Sequence, residues 1–241
     1  MGAAAGGPEA AKANAARGAL ELVKRYSLVG VGTGSTVEKF VELLAGDDEM
    51  RSKLYVASSV DTALKLAEKG LRVLEPSSMT SLEVYVDGAD EVDPSGYMIK
   101  GGGGAHTLEK VLYHYADTKV IIVDYSKLAR RLGERHPIPV DVLPQALGMV
   151  VHRLESMGMK CRPRRAPGKY GPLTSDVGAV IVDVVPPAGF SPAELSSLLD
   201  SMPGVVSHGL FLERADYYVI GYEEGYAIYR RDEIRRAFER G

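Results

Sequence analysis

Short apolar runs that alternate with segments of helical spacing are the feature that most constrains this chain. Strands linked through helices pair in parallel and place those helices on the faces of the sheet. Leu28 to Val31 reads as a buried strand. An Ala-rich helical stretch from Pro8 to about Arg25 precedes it, and Val37, Phe40, Val41 and Leu44, which share one helical face, follow it. The alternation continues with a strand at Leu54 to Ala57, a helix at Val60 to Lys69, and strands at Arg72 to Leu74 and Leu82 to Val86. A short extended piece at Tyr97 to Ile99, a helix from about Leu108 to Tyr115 and an apolar strand at Val120 to Val123 complete one α/β unit.

Past Arg131 the character changes. Pro137, Pro139 and Pro144 punctuate the chain, and a strand at Val140 to Val142 precedes a helix around Ala146 to Glu155. Strands around Met159 to Arg162 and at Ala179 to Val184 follow, then a helix opened by Ser191-Pro192-Ala193-Glu194. That β-α-β-β-α-β order suggests a small split sandwich. Strands at Tyr217 to Ile220 and Tyr226 to Tyr229 are expected to rejoin the first sheet, with Asp232 placed to cap a closing helix. The expected fold is α/β: a parallel-sheet domain of residues 1–131 plus 208–241, and a smaller α+β domain of residues 132–207.

Composition narrows the function classes. With 45% hydrophobic and 25% charged residues and no long apolar run, the chain reads as a folded protein without a membrane helix. A net charge of −3 argues against non-specific nucleic-acid binding, which needs a clustered cationic surplus. The basic stretch Cys161-Arg162-Pro163-Arg164-Arg165 reads as a solvated strand end or loop. Cys161 is the single cysteine and cannot form an intramolecular disulfide, which points to a reducing, cytoplasmic setting. Met1 to Gly7 lacks the pattern of a secretory signal, and Gly6 stands where a myristoylation motif wants Ser or Thr, so this piece reads as a short flexible tail.

Four segments carry chemistry. Gly32-Thr33-Gly34-Ser35-Thr36 lies between a strand and a helix, where free amides and the helix dipole favour an anion. Asp87-Gly88-Ala89-Asp90-Glu91-Val92-Asp93 follows a strand directly; it reads as a surface turn, a divalent-metal site or a functional acidic run. Lys100 argues against the metal, since a cation among these acids would compete with it. Lys100-Gly101-Gly102-Gly103-Gly104-Ala105 concentrates glycine where backbone must approach something closely, because a linker seldom interrupts an α/β unit. Thr107 is expected to cap the next helix and leave Glu109 in its first turn. Asp124, Ser126 and Lys127 follow the strand ending at Val123. All four segments fall at the carboxyl edge of a parallel sheet, where ligands of open α/β sheets bind.

These motifs, with Glu109-Lys110, Pro203-Gly204-Val205-Val206 and Gly209-Leu210-Phe211, resemble the type A ribose-5-phosphate isomerases over nearly the whole chain. The resemblance implies a Rossmann-like catalytic domain and the interconversion of D-ribose 5-phosphate and D-ribulose 5-phosphate through an enediolate, a step of the non-oxidative pentose phosphate pathway. It makes Glu109 the general acid and base, with Asp87, Asp90 and Lys100 as its catalytic partners. Substrate contacts fall on Thr33, Gly34, Ser35, Thr36, Asp87, Gly88, Ala89, Asp90, Lys100, Gly101, Gly102, Gly103, Lys127 and Lys12. No cofactor and no metal are implied, the substrate is a small phosphosugar, neither nucleic acid nor membrane is a partner, and a homodimer or homotetramer is expected.

Two matters stay open at this level. A helix N-terminus and a nearby lysine would lower the pKa of Glu109 while burial and neighbouring aspartates would raise it. His106 reads as a hydrogen-bonding or surface loop residue rather than an acid–base group. A non-catalytic sugar-phosphate sensor, or an amino-sugar-phosphate deaminase or lactonase, are the competing functions.

Overall fold

The structure, a computed structural model, describes residues 7–239. Of the stretch expected to be a tail, Met1 to Gly7, positions 1–6 lie outside these residues, as do positions 240 and 241. Helix α1 (Pro8–Val23) takes proline in its first turn, where no amide donor is missed, and buries Ala11, Ala15, Ala16, Ala19 and Val23. Strand β1 (Leu28–Val31) leads into α2 (Ser35–Gly46), whose buried Val37, Phe40, Val41 and Leu44 form the expected face. A one-turn helix α3 (Asp48–Arg51), capped by the Asp47 carboxylate, precedes β2 (Leu54–Ala57), α4 (Val60–Glu68) and β3 (Arg72–Leu74). Strand β4 (Leu82–Asp87) is followed by two short strands, β5 (Glu91–Val92) and β6 (Met98–Ile99), then by α5 (His106–Tyr115) and β7 (Ala116–Asp124).

The next elements are β8 (Ile138–Val142), α6 (Leu147–Ser156), β9 (Lys160–Pro163), β10 (Val180–Val185), α7 (Pro192–Ser201) and β11 (Val205–His208). Ser191 caps α7 by accepting from the Glu194 amide, as its sequence signature indicates. Strands β12 (Leu210–Phe211), β13 (Tyr217–Tyr222) and β14 (Gly225–Arg230) close the chain, and the closing helix that follows is a 3-10 helix, Ile234–Glu239.

The main sheet has the order β14-β13-β7-β4-β1-β2-β3, parallel throughout except for the β13–β14 hairpin. From β1 the chain moves outward through β2 and β3, then returns to place β4 on the other side of β1. That reversal opens a crevice beyond the carboxyl ends of β1 and β4, the switch point where such sheets bind ligands. The strands read as continuous apolar runs because both faces are covered: Val29, Val31, Val84, Val86 and Ile122 are buried in one cluster, and Tyr85, Ile121 and Val123 in another.

The second sheet, β11-β8-β10-β9, is wholly antiparallel, with α6 and α7 as the helices of a split β-α-β arrangement. Ile138, Val140, Val142, Val182 and Val184 bury against Val150, Leu154, Leu195 and Leu199. A third, three-stranded sheet, β12-β6-β5, joins the two. Gly209 stitches this junction: its amide donates to the Pro139 carbonyl at 2.7 Å and its carbonyl accepts the Lys100 amide at 2.9 Å. A side chain there would collide with the Lys100 carbonyl, so the backbone under Lys100 is fixed by contacts that only glycine permits.

Candidate active site

The turn after β1 is drawn onto β4. The Gly32 amide donates to the Val86 carbonyl at 2.8 Å, and the Thr33 amide donates to Asp87 Oδ1 at 3.1 Å. Gly34 (φ +130°) then swings the chain into α2 without a side-chain cap, so the first-turn amides of Ser35, Thr36 and Val37 face the cleft that these residues line. The Thr33 hydroxyl turns the other way. It donates to Ser59 Oγ at 2.7 Å and lies 3.2 Å from both Ser58 Oγ and Thr62 Oγ1, so it braces the turn, while Ser35 is exposed and Thr36, though buried, lines the cleft.

Asp87, at the end of β4, is fully buried and accepts from four donors: Thr33 N and Gly88 N on Oδ1, and Tyr85 OH (2.7 Å) and Lys100 Nζ (2.7 Å) on Oδ2. It forms the floor beneath Lys100 and is not itself a cleft-lining residue. The Lys100 ammonium, 2% exposed, also donates to the Gly88 carbonyl at 2.6 Å and sits 3.0 Å from Glu109 Oε2. That last approach is an ion contact outside hydrogen-bond geometry, so Glu109 Oε2 keeps no hydrogen-bond donor. Asp90 Oδ2 accepts the Gly102 amide at 2.7 Å, tying the acidic run to the glycine loop.

The open question about Glu109 resolves toward burial. Desolvation and the nearby Asp87 carboxylate outweigh Lys100 and push its pKa up to about 8. Burial also works against charge on Lys100, but Asp87 and Glu109 outweigh it and raise its pKa, so the ammonium stays charged. The result is a fixed cation in contact with a carboxyl group that sits close to the titration range of a working acid–base catalyst.

Lys127, in the 3-10 turn after β7, lines the same cleft. Asp124 shapes that turn by accepting from the Ser126 amide at 2.9 Å and from its hydroxyl. Among the described residues Lys127 forms no ion pair with a carboxylate, which leaves its charge for a ligand. One cleft is therefore lined by Thr33 to Val37, Gly88 to Asp90, Lys100 to Gly103, Glu109 and Lys127. Lys12 is not brought to its wall; it pairs with Glu9 at 2.8 Å on α1.

Comparison with known proteins gives the family. Residues 54–225 match the family model of ribose 5-phosphate isomerase A (phosphoriboisomerase A). Ribose-5-phosphate isomerase A of Aeropyrum pernix is 44% identical over 220 residues, covering 89% of this chain and 92% of the relative. The Methanothermobacter thermautotrophicus protein of the same name is 40% identical, covering 91% and 97%. The chain belongs to the ribose 5-phosphate isomerase A family. A solved D-ribose-5-phosphate isomerase in complex with phospho-erythronic acid superposes with a TM-score of 0.88 at 32% identity, covering 93% of this chain and 99% of that one. The Methanocaldococcus jannaschii ribose 5-phosphate isomerase A gives 0.86 at 32% identity, covering 92% and 99%.

Against this family frame three expectations need correction. Thr107 does not cap α5: the helix begins at His106, Ala105 is its uncapped N-terminal residue, and the Thr107 hydroxyl donates to Asp141 on β8. His106 is neither hydrogen-bonded nor on the surface. It is fully buried beneath Gly101, both ring nitrogens lack hydrogen bonds, and burial with nearby Lys110 lowers its pKa to about 3, so it stays neutral. The stretch around Arg164 is not merely solvated either, since Arg164 donates to the carbonyls of Gly101 and Gly102. Sequence reading also missed Tyr85, which looks like one more apolar strand residue yet donates to Asp87.

Proposed function

We propose that Glu109 is the single acid–base group with which this chain interconverts D-ribose 5-phosphate and D-ribulose 5-phosphate. The observation that carries the reading is a buried carboxyl group, pushed up to about 8, in contact with a fixed ammonium at the edge of an anion-binding cleft. Glu109 takes the proton from carbon 2 of the aldose, leaves an enediolate across carbons 1 and 2, and returns the proton to carbon 1. A group with a pKa near the working pH serves well in both directions. Protonated Glu109 is the stable form after abstraction, which suits a group that must hold the proton while the double bond shifts.

Charge on the enediolate oxygens needs donors fixed in advance. Lys100 supplies one, aimed by Asp87 and the Gly88 carbonyl. The role of Asp87 is thus to orient the lysine, while Asp90, on the cleft wall, is placed to accept from a sugar hydroxyl. Phospho-erythronic acid, held by the solved relative, joins a phosphate to a carboxylate whose charge spreads over two oxygens. An enediolate places its anionic oxygens at the corresponding end of a phosphosugar.

The phosphate belongs at the N-terminus of α2, held by Ser35, Thr36, their amides and Lys127. It does not change charge during isomerisation, so its contacts act as anchoring energy that aligns carbons 1 and 2 with Glu109. A charge-assisted hydrogen bond contributes about 1.5–3 kcal/mol, so Lys127→Ala should raise KM for ribose 5-phosphate by roughly ten- to a hundredfold with a smaller effect on kcat. Ribose lacking the phosphate should be turned over poorly by both proteins and equally so. Following ribulose 5-phosphate formation by wild type and variant makes the test. A variant that discriminates between ribose and its 5-phosphate as well as wild type removes Lys127 from the phosphate site.

A further inference from the structure

Arg164 reaches the glycine loop from the second sheet. It follows β9, and its backbone is pinned on both sides: its amide donates to the Ile181 carbonyl at 2.8 Å and its carbonyl accepts the Leu173 amide at 2.7 Å. The guanidinium is clamped by Asp183 of β10, with Nε to Oδ2 at 3.0 Å and Nη2 to Oδ1 at 2.5 Å, the two-point geometry that best fixes an arginine. Its remaining arm, Nη1, donates to the Gly101 carbonyl at 2.9 Å and the Gly102 carbonyl at 3.0 Å.

A trans peptide is planar, so its C=O and the following N–H point in opposite directions. Holding the Gly101 carbonyl sets the Gly102 amide, which donates to Asp90. Holding the Gly102 carbonyl turns the Gly103 amide away from Arg164, on a residue that lines the cleft, and among the described residues that amide has no acceptor. Glycines alone would not keep this orientation, since Gly101 (φ +101°) and Gly104 (φ +81°) sit where backbone freedom is greatest. A cation on the carbonyl side also polarises both peptides and strengthens the opposed N–H groups as donors.

We propose that Arg164, held by Asp183, is a positioning residue for isomerisation: it presets the Gly101–Gly103 backbone so that the Gly103 amide meets an enediolate oxygen. The second sheet thereby supplies a working part of the site. The inference rests on the reading of Glu109 and the glycine loop given above. It predicts a loss in kcat rather than in KM, because the anchored phosphate is untouched and the donor matters most when charge develops.

The test compares Arg164→Ala, Arg164→Lys and Asp183→Asn with wild type. Removing a direct oxyanion donor costs about 10²–10³-fold, and loosening one through its neighbour should cost about tenfold or more in kcat, with KM nearly unchanged. Lysine cannot hold Asp183 at two points and reach both carbonyls, so Arg164→Lys should lose most of that rate. Millimolar guanidinium should restore part of the Arg164→Ala rate saturably, whereas methylammonium should not. Wild-type kcat in Arg164→Lys, or a loss confined to KM, overturns the proposal. If Arg164→Ala does not fold, the lysine variant decides. Glu109→Gln measured alongside separates the two levels: an inactive Glu109→Gln beside a fully active Arg164→Lys rejects this inference alone, while an active Glu109→Gln rejects the reading beneath it.

Discussion

Replacing Glu109 with glutamine should leave a folded protein that binds ribose 5-phosphate but has lost at least ~10²–10⁴-fold in kcat, the usual contribution of a positioned general base. The amide preserves shape and a contact for Lys100 but cannot take a proton. In wild type, kcat/KM should rise with pH and level off above about 8, since the ionised base accumulates only as pH passes the raised pKa. An ordinary glutamate, with a pKa of about 4.3, would already be fully ionised by neutrality. The substrate phosphate titrates near ~6 and adds a separate, lower limb. The sign for stability follows the same shift. A raised folded pKa means that the contribution of Glu109 to stability is present below its ordinary value and is lost as pH rises through about 8. Glu109→Gln should therefore melt no lower than wild type above that pH. A variant with near-normal turnover would remove Glu109 from the chemistry.

Lys100→Met should be damaging in two separable ways. Lys100 is the cation between Asp87 and Glu109, 2.7 and 3.0 Å away, and all three side chains are buried. Methionine fills similar volume but leaves two carboxyl groups facing each other without a counter-charge. Breaking a buried pair by removing one partner costs about 3–5 kcal/mol. Glu109 would lose the cation that holds its pKa down, so the loss measured by urea unfolding should be larger at pH 8 than at pH 5. Activity should fall by about 10²–10³-fold through the missing electrostatic stabilisation of the enediolate. The double variant Lys100→Met with Asp87→Asn should recover stability without recovering rate. Restored rate in the double variant would show that Lys100 serves only to neutralise Asp87.

The elements legible in the sequence are those whose own residues decide them. Strands β1 and β2 fall at the expected residues because parallel strands covered on both faces read as plain apolar runs. Helix α2 is visible because Val37, Phe40, Val41 and Leu44 repeat at helical spacing. Strands β5, β6 and β12 are two residues each and exist only through their pairing, so β5 and β12 left no local signal and β6 showed only as a longer extended piece. Thr107 has the residue type of a cap, but its hydroxyl is drawn off to Asp141, a partner 34 positions away.

The site divides the same way. Lys100, Glu109, Asp90 and Lys127 stand out in the sequence because glycine and acidic runs stand at strand ends, and the fold brings the four to one cleft. What stayed hidden depends on long-range contact. Arg164 looks like a member of a basic run until Asp183 and two glycine carbonyls are placed around it. The pKa of Glu109 depends on how completely the fold excludes water, which neither spacing nor composition encodes.

The central claim, that one carboxyl group carries the proton between neighbouring carbons, is tested most directly with ribose 5-phosphate bearing deuterium at carbon 2, converted in ordinary water. A proton held on Glu109 during the enediolate's lifetime is partly returned and partly exchanged. Part of the label should therefore appear at carbon 1 of ribulose 5-phosphate and part in solvent, and both transfer and washout should disappear with Glu109→Gln. Transfer to carbon 1 or washout that persists at the wild-type rate in Glu109→Gln would contradict the account.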